Sequence, residues 1–565
     1  MSSPIPATGT ISSEFWYENR TMQVSDDRRV FKQHQDDVRT LSQAIRQFYA
    51  SRTPFHVHHG PPCDLRKPTP KTKRVDISHL NRVVHVNPMT RTVLAEPGVI
   101  MADLLTASLY HGLMPAVVLE FPGITCGSAF ATTSTSSASF RSGLFEDIVT
   151  SIEVILGNGD IVTKARPAGD QSDLFWGCAS GLGSMGVVTM MEIQLVPAMP
   201  YVQLSYFVCN SLDEASRTME RETAPCIAPR SSLHEQRRKS YHSSLSRHSD
   251  DDFDQRPDFA DAIAFSPCKA VVMVGRQISA PDEGTLIRRF SQNSDPYFYS
   301  HVSAIADSAP STSRSNVPES PSSIQHPAKP NKVDSVALPD YFFRYDRGVF
   351  FAGGDKMAKH AHPHRPILRA ITSRYLRSSR AIGACRRSGL DSVTTSFTAS
   401  VPSDSIPSSV LELGQDLGVW PIWLCPTRKS ALPAEETRRR FSVGSKARIG
   451  SISPRQGTST MVTIGCFGLG KAGVGQQEAA LRAARNTVEE AGGTVTLLGC
   501  PLNDEQEIWE RFDRQWYEEV RKKYAAERLP SLAERVGMAG DNRVQEKPLW
   551  MLKASAVVIA VCNSE

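Results

Sequence analysis

Residues 120–147 read EFPGITCGSAFATTSTSSASFRSGLFED, and the reading of this stretch decides the fold of the 565-residue chain. Of the twelve residues from Ser128 to Ser139, eleven are Ser, Thr or Ala. Small side chains let a backbone approach a ligand closely, while free N–H groups and hydroxyls donate to anionic oxygens. One cation, Arg141, stands close by in the sequence. A loop of this kind suits a pyrophosphate embedded in protein, although a Ser/Thr-rich surface loop accounts equally well for the composition. Phe121 and the apolar stretches on either side favour burial.

Working outward, 151–163 (SIEVILGNGDIVT) predicts two strands around Gly157-Asn158-Gly159-Asp160, because such turn residues tolerate positive φ. Ser172–Ala179 predicts a helix, and 186–197 (GVVTMMEIQLVP) a strand. Upstream, Val38, Leu41, Ile45 and Phe48 stand at helical spacing within 36–50. A short strand over Phe55–His58 runs into Gly60-Pro61-Pro62, then strand, turn and strand fill 74–97, and a helix spans 100–111. Short strands mixed with helices mean α+β.

Two segments satisfy G-x-G-x-x-G, 181–186 (GLGSMG) and 468–473 (GLGKAG). A dinucleotide fingerprint requires a strand before, a helix after and an acid at the end of the next strand. The first segment follows a helix and opens a strand. The second has the right neighbours, but its next strand, 494–498, ends in Gly499-Cys500 with no acid. The first therefore fails as a dinucleotide fingerprint, and a plain turn is expected at the second.

The second half alternates apolar segments at 270–275, 340–354, 418–426 and 460–468 with helical patterns at 476–491 and 505–526. Two stretches, 229–256 and 303–333, carry too few large apolar residues to offset the entropy of ordering and read as insertions. The 64 basic and 59 acidic side chains leave a net charge of +5, too weak for a dedicated nucleic-acid binder. The eleven cysteines contain no C-x-x-C pair, so no zinc or other metal site is indicated. Near the C-terminus 548–562 is apolar but interrupted by Lys553, and short of the ~20 residues a spanning helix needs.

The order PGITCG, GLFED, SIEVILGNGDIV, SDLFWGCASGLGSMGVVTMMEIQLVP resembles the FAD-binding domain of vanillyl-alcohol-oxidase-type (PCMH-type) flavoproteins. Further on, DYFFRYDRGVFFAGG, VWPIWLCP and EIWERFDRQWYEEVRKKY resemble Δ24-sterol reductases. The resemblance implies a two-subdomain PCMH-type FAD-binding domain over 1–200 and an α/β substrate cap over 201–530, with disordered insertions at about 229–256 and 303–333. It leaves 531–565 as a divergent tail. It implies a noncovalent FAD, NADPH as electron donor, and reduction of a side-chain double bond in an apolar, sterol-like substrate. An intracellular site, cytoplasmic or against the endoplasmic-reticulum membrane with peripheral contact, goes with it.

By the same resemblance the FAD contacts are Gly123, Ile124, Thr125, Gly127, Ser128, Ser134, Gly183, Gly186 and Val187, and His58 or His59 is where some relatives tether the flavin. Tyr345, Trp423 and Glu120 are the candidate catalytic or substrate-side residues. Packed core aromatics and an exposed carboxylate account for the same three, and Arg344 and Arg347 are expected to pair with Asp346 or sit in solvent. The chain departs from the family where Ser and Thr replace glycines after Gly127, and where Pro61 and Pro62 each remove an N–H. These departures keep open a flavin oxidase of an alcohol or secondary metabolite, and a non-catalytic degenerate homologue.

Overall fold

The computed structural model describes residues 27–59, 73–224, 256–309, 329–350, 376–380, 394–428, 460–469, 474–497 and 505–537, save positions 283, 349 and 511. The first helix, Asp27–Ala50, starts nine residues before the apolar spacing signals it, and buries Val38, Leu41 and Ile45. Strand β1 (Phe55–His58) pairs in parallel with β2 (Lys73–Asp76). Beside them, β3 (Val83–Asn87), β4 (Thr92–Ala95), β5 (Leu113–Pro115), β6 (Val149–Ile155), β7 (Ile161–Ala165) and β8 (Val187–Pro197) form a six-stranded sheet. Its order is β3-β4-β8-β6-β7, with β5 also on β8.

The β6–β7 turn stands where the Gly-Asn-Gly-Asp signal puts it, with Gly159 at φ +86°. A Cβ there would meet the Arg46 side chain and the Ser42 carbonyl of the first helix, so glycine serves both the turn and the helix contact.

Among the described residues, a nine-stranded sheet follows. It takes β9 (Tyr201–Cys209), β10 (Phe259–Ser266), β11 (Lys269–Ile278), β12 (Ile287–Arg288), β13 (Lys332–Ala337), β14 (Thr394–Pro402), β15 (Ile422–Arg428), β16 (Thr460–Leu469) and β17 (Thr494–Val495). The order is β12-β13-β9-β11-β10-β15-β16-β14-β17. Period-two alternation sorts its side chains onto two cores. Ala262, Ala264, Val272, Val274, Ile422 and Leu424 enter a core that includes Leu212, Val410 and Leu481, on three helices that cover that face. Phe259, Ile263, Val271, Met273, Trp423 and Cys425 enter a different core, continuous with Val117, Phe130, Phe145 and Phe175 of the first half. Packing, not a linker, joins the two halves.

The chain then comes back. Helix Arg514–Lys523, the turn Ala526–Arg528 and helix Leu532–Gly537 lie against the N-terminal half: Ala526 and Leu529 share a core with Ile45 and Val187. The sequence groups 505–526 into one helix and 201–530 into one cap. The helix is instead broken into Glu505–Trp509 and Arg514–Lys523, and its end belongs spatially with the first 200 residues. Leu532 and Val536 of the expected tail are buried in the main core.

Helix Phe298–Ser308 and strand β13 likewise occupy both edges of the stretch 303–333 that composition assigns to an insertion. Residues 310–328, 225–255 and the apolar segment 548–562 lie outside the described residues. At the second glycine motif, β16 and β17 stand on either side of β14 and antiparallel to it. Helix Val474–Glu490 therefore spans a split crossover; 470–473 lie outside the described residues. No helix among the described residues is long and apolar enough to cross a membrane.

Candidate active site

The Ser/Thr-rich stretch divides in two. Its first part is a short helix, Cys126–Ala131, capped by Thr125, whose hydroxyl accepts the Ser128 N–H at 3.2 Å. The Ile124, Cys126 and Gly127 N–H groups donate to the carbonyls of Phe121, Val99 and Pro97. A Cβ on Gly127 would sit 2.8 Å from that of Pro97, and one on Gly186 2.6 Å from a methyl of Val154, so close packing within the protein accounts for both glycines. Val187 is buried at the start of β8, in register with Ile155.

What stays open is different. Residues 131–135 are partly exposed, and the N–H groups of Gly123, Ser134 and Thr135 have no acceptor among the described residues. Thr133 takes φ +51°, a conformation costly for a β-branched residue, and its hydroxyl donates to Ser180 at 2.8 Å. Ser180, Leu182 and Gly183 also have positive φ, and the Ser180 and Leu182 N–H groups bond to Phe130 and Ala131. The two small-residue segments thus stand side by side, and open donors beside a turn of this shape fit a dinucleotide phosphate. Arg141 is directed elsewhere: it donates to the Arg256 and Pro257 carbonyls and to Asp258. His58 ends β1 half-buried and His59 is exposed, while Gly60–Cys63 lie outside the described residues.

The second part, Ser136–Ser139, is buried against the nine-stranded sheet. The Ser137 carbonyl accepts the Ala260 N–H at 2.8 Å, and the Ser136 carbonyl accepts the Cys425 thiol at 3.0 Å. The Ser137 N–H donates to Glu120 Oε1 at 2.8 Å. Glu120 is only 3% exposed, which overturns the exposed-carboxylate reading. Burial raises its pKa to about 7, helped by the charge of Asp261 and opposed by Arg344 and the Ser137 N–H.

Asp261, on β10, is the residue that sequence reasoning missed. Its Oδ2 accepts three hydrogen bonds: Arg344 Nη2 at 2.7 Å, Tyr345 Oη at 2.8 Å and Trp423 Nε1 at 3.1 Å. Its Oδ1 is buried with no hydrogen-bond partner among the described residues. All three catalytic candidates therefore converge, Tyr345 and Trp423 on Asp261 directly and Glu120 through charge.

Arg344 pairs with Asp261, not with Asp346 as its position in the sequence suggests, and its guanidinium lies 4.1 Å from the centre of the Tyr341 ring. Arg377 holds Asp346 instead, and Arg347 donates to the carbonyls of Phe290, Asn293 and Asp295. Burial and the Asp261 charge push the Tyr345 phenol well above its ordinary range. A signal for Asp261 did exist: an acid inside the otherwise apolar 259–264 (FADAIA) is the kind of buried charge a protein keeps only with partners.

Residues 29–164 match the family of FAD binding domains. Over 544 residues the chain is 22% identical to the Delta(24)-sterol reductase of Arabidopsis thaliana, covering 91% of this chain and 85% of that protein. To the human Delta(24)-sterol reductase it is 22% identical over 461 residues, covering 80% and 75%. A decaprenylphosphoryl-beta-D-ribose oxidase of Mycolicibacterium smegmatis is 32% identical over 145 residues, 25% of this chain and 30% of the oxidase. The chain is an FAD-dependent oxidoreductase that resembles Delta(24)-sterol reductases across most of its length. Its α+β architecture agrees with that resemblance.

Proposed function

We propose that the enzyme reduces a carbon–carbon double bond in the side chain of an apolar, sterol-like substrate, with noncovalent FAD and NADPH as electron donor. The sheet beyond residue 200 is its substrate cap. The observation that carries this reading is the buried group of Glu120, Asp261, Arg344, Tyr345 and Trp423, where the FAD-binding half meets the sheet. FAD, when bound, supplies hydride to one alkene carbon.

The other carbon needs a proton, and the residues differ in their capacity to give one. Tyr345 is a weakened acid whose hydroxyl is already engaged as a donor to Asp261. Glu120, with a pKa near 7, carries a transferable proton at neutral pH, so it is the proton donor of this proposal. Arg344 fixes Asp261, and Asp261 keeps Tyr345 and Trp423 in place as an aromatic wall that excludes water. Gly123, Ser134 and Gly183 contact the cofactor through backbone; Ile124, Thr125, Gly127, Ser128, Gly186 and Val187 shape its bed. A substrate of this class lives in membranes, so the enzyme meets it at an intracellular membrane surface by peripheral contact.

The oxidase relative supports a second reading, in which reduced flavin is reoxidised by oxygen. One experiment separates the two. Purified protein loaded with FAD and bleached anaerobically by NADPH regains its flavin band when a Δ24-sterol is added. Glu120→Gln slows that reoxidation by roughly a hundredfold and leaves the bleaching step unchanged. Failure of sterol to reoxidise the flavin, with fast reoxidation by air during alcohol turnover, overturns the reductase reading in favour of the oxidase.

A further inference from the structure

Two guanidinium groups of the returning segment converge on the turn Gly181–Ser184. Arg521 donates to the Ser184 carbonyl, to the Leu529 carbonyl at 2.8 Å, and more distantly to the Tyr517 hydroxyl and the Pro530 carbonyl. Every oxygen it meets is neutral. Arg535, on helix Leu532–Gly537, places Nη2 3.8 Å from where a Cβ on Gly183 would be. Among the described residues its Nε and Nη2 are buried with no hydrogen-bond acceptor.

Among the described residues, the nearby acids Glu534 and Asp173 are committed. Glu534 is exposed and accepts the Ser531 N–H, and Asp173 is held by Lys523 and by the Tyr524 hydroxyl. Burial lowers the pKa of Arg535, a cost that Tyr517 and Glu534 only partly oppose. On the same turn the Ser184 hydroxyl is also buried and unpartnered. A buried cation and hydroxyl of this kind are kept where an anion completes them.

We propose that Arg535, positioned by Arg521 and aided by Ser184, is a phosphate-binding residue for a dinucleotide at the Gly183 turn. The proposal rests on the FAD reading of residues 29–164 and adds to it a cation from the far end of the chain. The phosphate belongs either to FAD or to NADPH. Two oxygens of a phosphate match the planar fork of a guanidinium, which a lysine does not reproduce.

The test uses the full chain stripped of flavin, as wild type, Arg535→Met and Arg535→Lys. FAD binding is read from quenching of flavin fluorescence, NADPH binding from nicotinamide fluorescence, and melting temperature with and without inorganic pyrophosphate. Removing a buried, unpaired charge raises the melting temperature of the flavin-free protein, whereas losing a charge-assisted contact weakens the dinucleotide roughly tenfold to a hundredfold. Opposite signs in one variant are the expected result, with Arg535→Lys recovering only part of the affinity. Weakening of FAD alone places the flavin pyrophosphate at Arg535, and weakening of NADPH alone places the nicotinamide dinucleotide there.

The proposal is overturned if Arg535→Met binds both dinucleotides within about twofold of wild type. It is equally overturned if the variant loses stability together with affinity, since Arg535 is then a structural residue. Should wild type bind no FAD, the flavin reading fails, while pyrophosphate that stabilises wild type and not Arg535→Met still upholds the anion site.

Discussion

Two of the places where the described residues bury ionisable groups are built on opposite plans. Under the first helix, His34 lies between Glu96 at 2.8 Å and Glu153 at 2.9 Å, and Arg82 binds Glu96 and Asp37 at 2.6 Å each. Thr189 adds a hydrogen bond to Glu153 at 2.7 Å. Both charged nitrogens of His34 and both oxygens of Glu96 are used, and the network fastens the helix to the six-stranded sheet. At the junction of the two halves, Asp261 loads three donors on one oxygen, its other oxygen and Arg344 Nε have no hydrogen-bond partner among the described residues, and the Glu120 pKa is raised to about 7. A closed network stabilises a fold; an open one holds groups whose charge can change, which is what a site of chemistry requires.

The sharpest way to break the comparison is at Asp261. Asp261→Leu leaves Arg344 as an uncompensated buried cation and is expected to cost about 3–5 kcal/mol in urea denaturation. Asp261→Leu combined with Arg344→Met replaces the whole pair by apolar groups and should recover most of that loss while activity stays abolished. A double variant as unstable as the single one would mean that the pair does for the fold what the His34 network does.

Glu120→Gln comes next. A buried acid whose folded pKa is raised to about 7 destabilises progressively as pH climbs from its unfolded value near 4.5, and the cost is complete above about 7. Glutamine removes it, so the variant should be more stable than wild type by roughly 3 kcal/mol at pH 8 and equal to it near pH 4.5. Denaturation curves across that range test the sign, and a flat difference would show Glu120 to be ionised throughout.

The smallest effect is expected at His34. Burial alone would lower its pKa, but the hydrogen bonds and charges of Glu153 and Glu96 outweigh it and carry the pKa up to about 9. The contribution is complete below the unfolded value near 6.5 and is lost as pH rises through 9. His34→Gln should therefore cost on the order of 2 kcal/mol at pH 6 and much less above pH 9. A pH-independent cost would mean that the imidazole acts through packing alone.

Much of this fold is legible from local signals. The Gly-Asn-Gly-Asp turn sets the β6–β7 hairpin, and the helix Ser172–Cys178 and strand Val187–Pro197 stand where their residues predict them. Length is harder to read. The first helix extends over residues without a full apolar stripe because His34 and Asp37 are anchored by distant acids and a distant arginine, and the helix after Arg514 ends early because Ala525 takes φ +53°. The candidate residues are half legible: Glu120, Tyr345 and Trp423 can be named as types, but their common partner cannot.

The sequence by itself determined the α+β class, the positions of the turns and the identity of the small-residue loop, because those depend on neighbours a few residues apart. Tertiary structure alone decided that Asp261 meets Arg344 across 83 residues and Trp423 across 162, and that Arg521 reaches Ser184 across 337. A buried charge is stable only beside its partner, and which partner it finds is set by how whole sheets and segments pack.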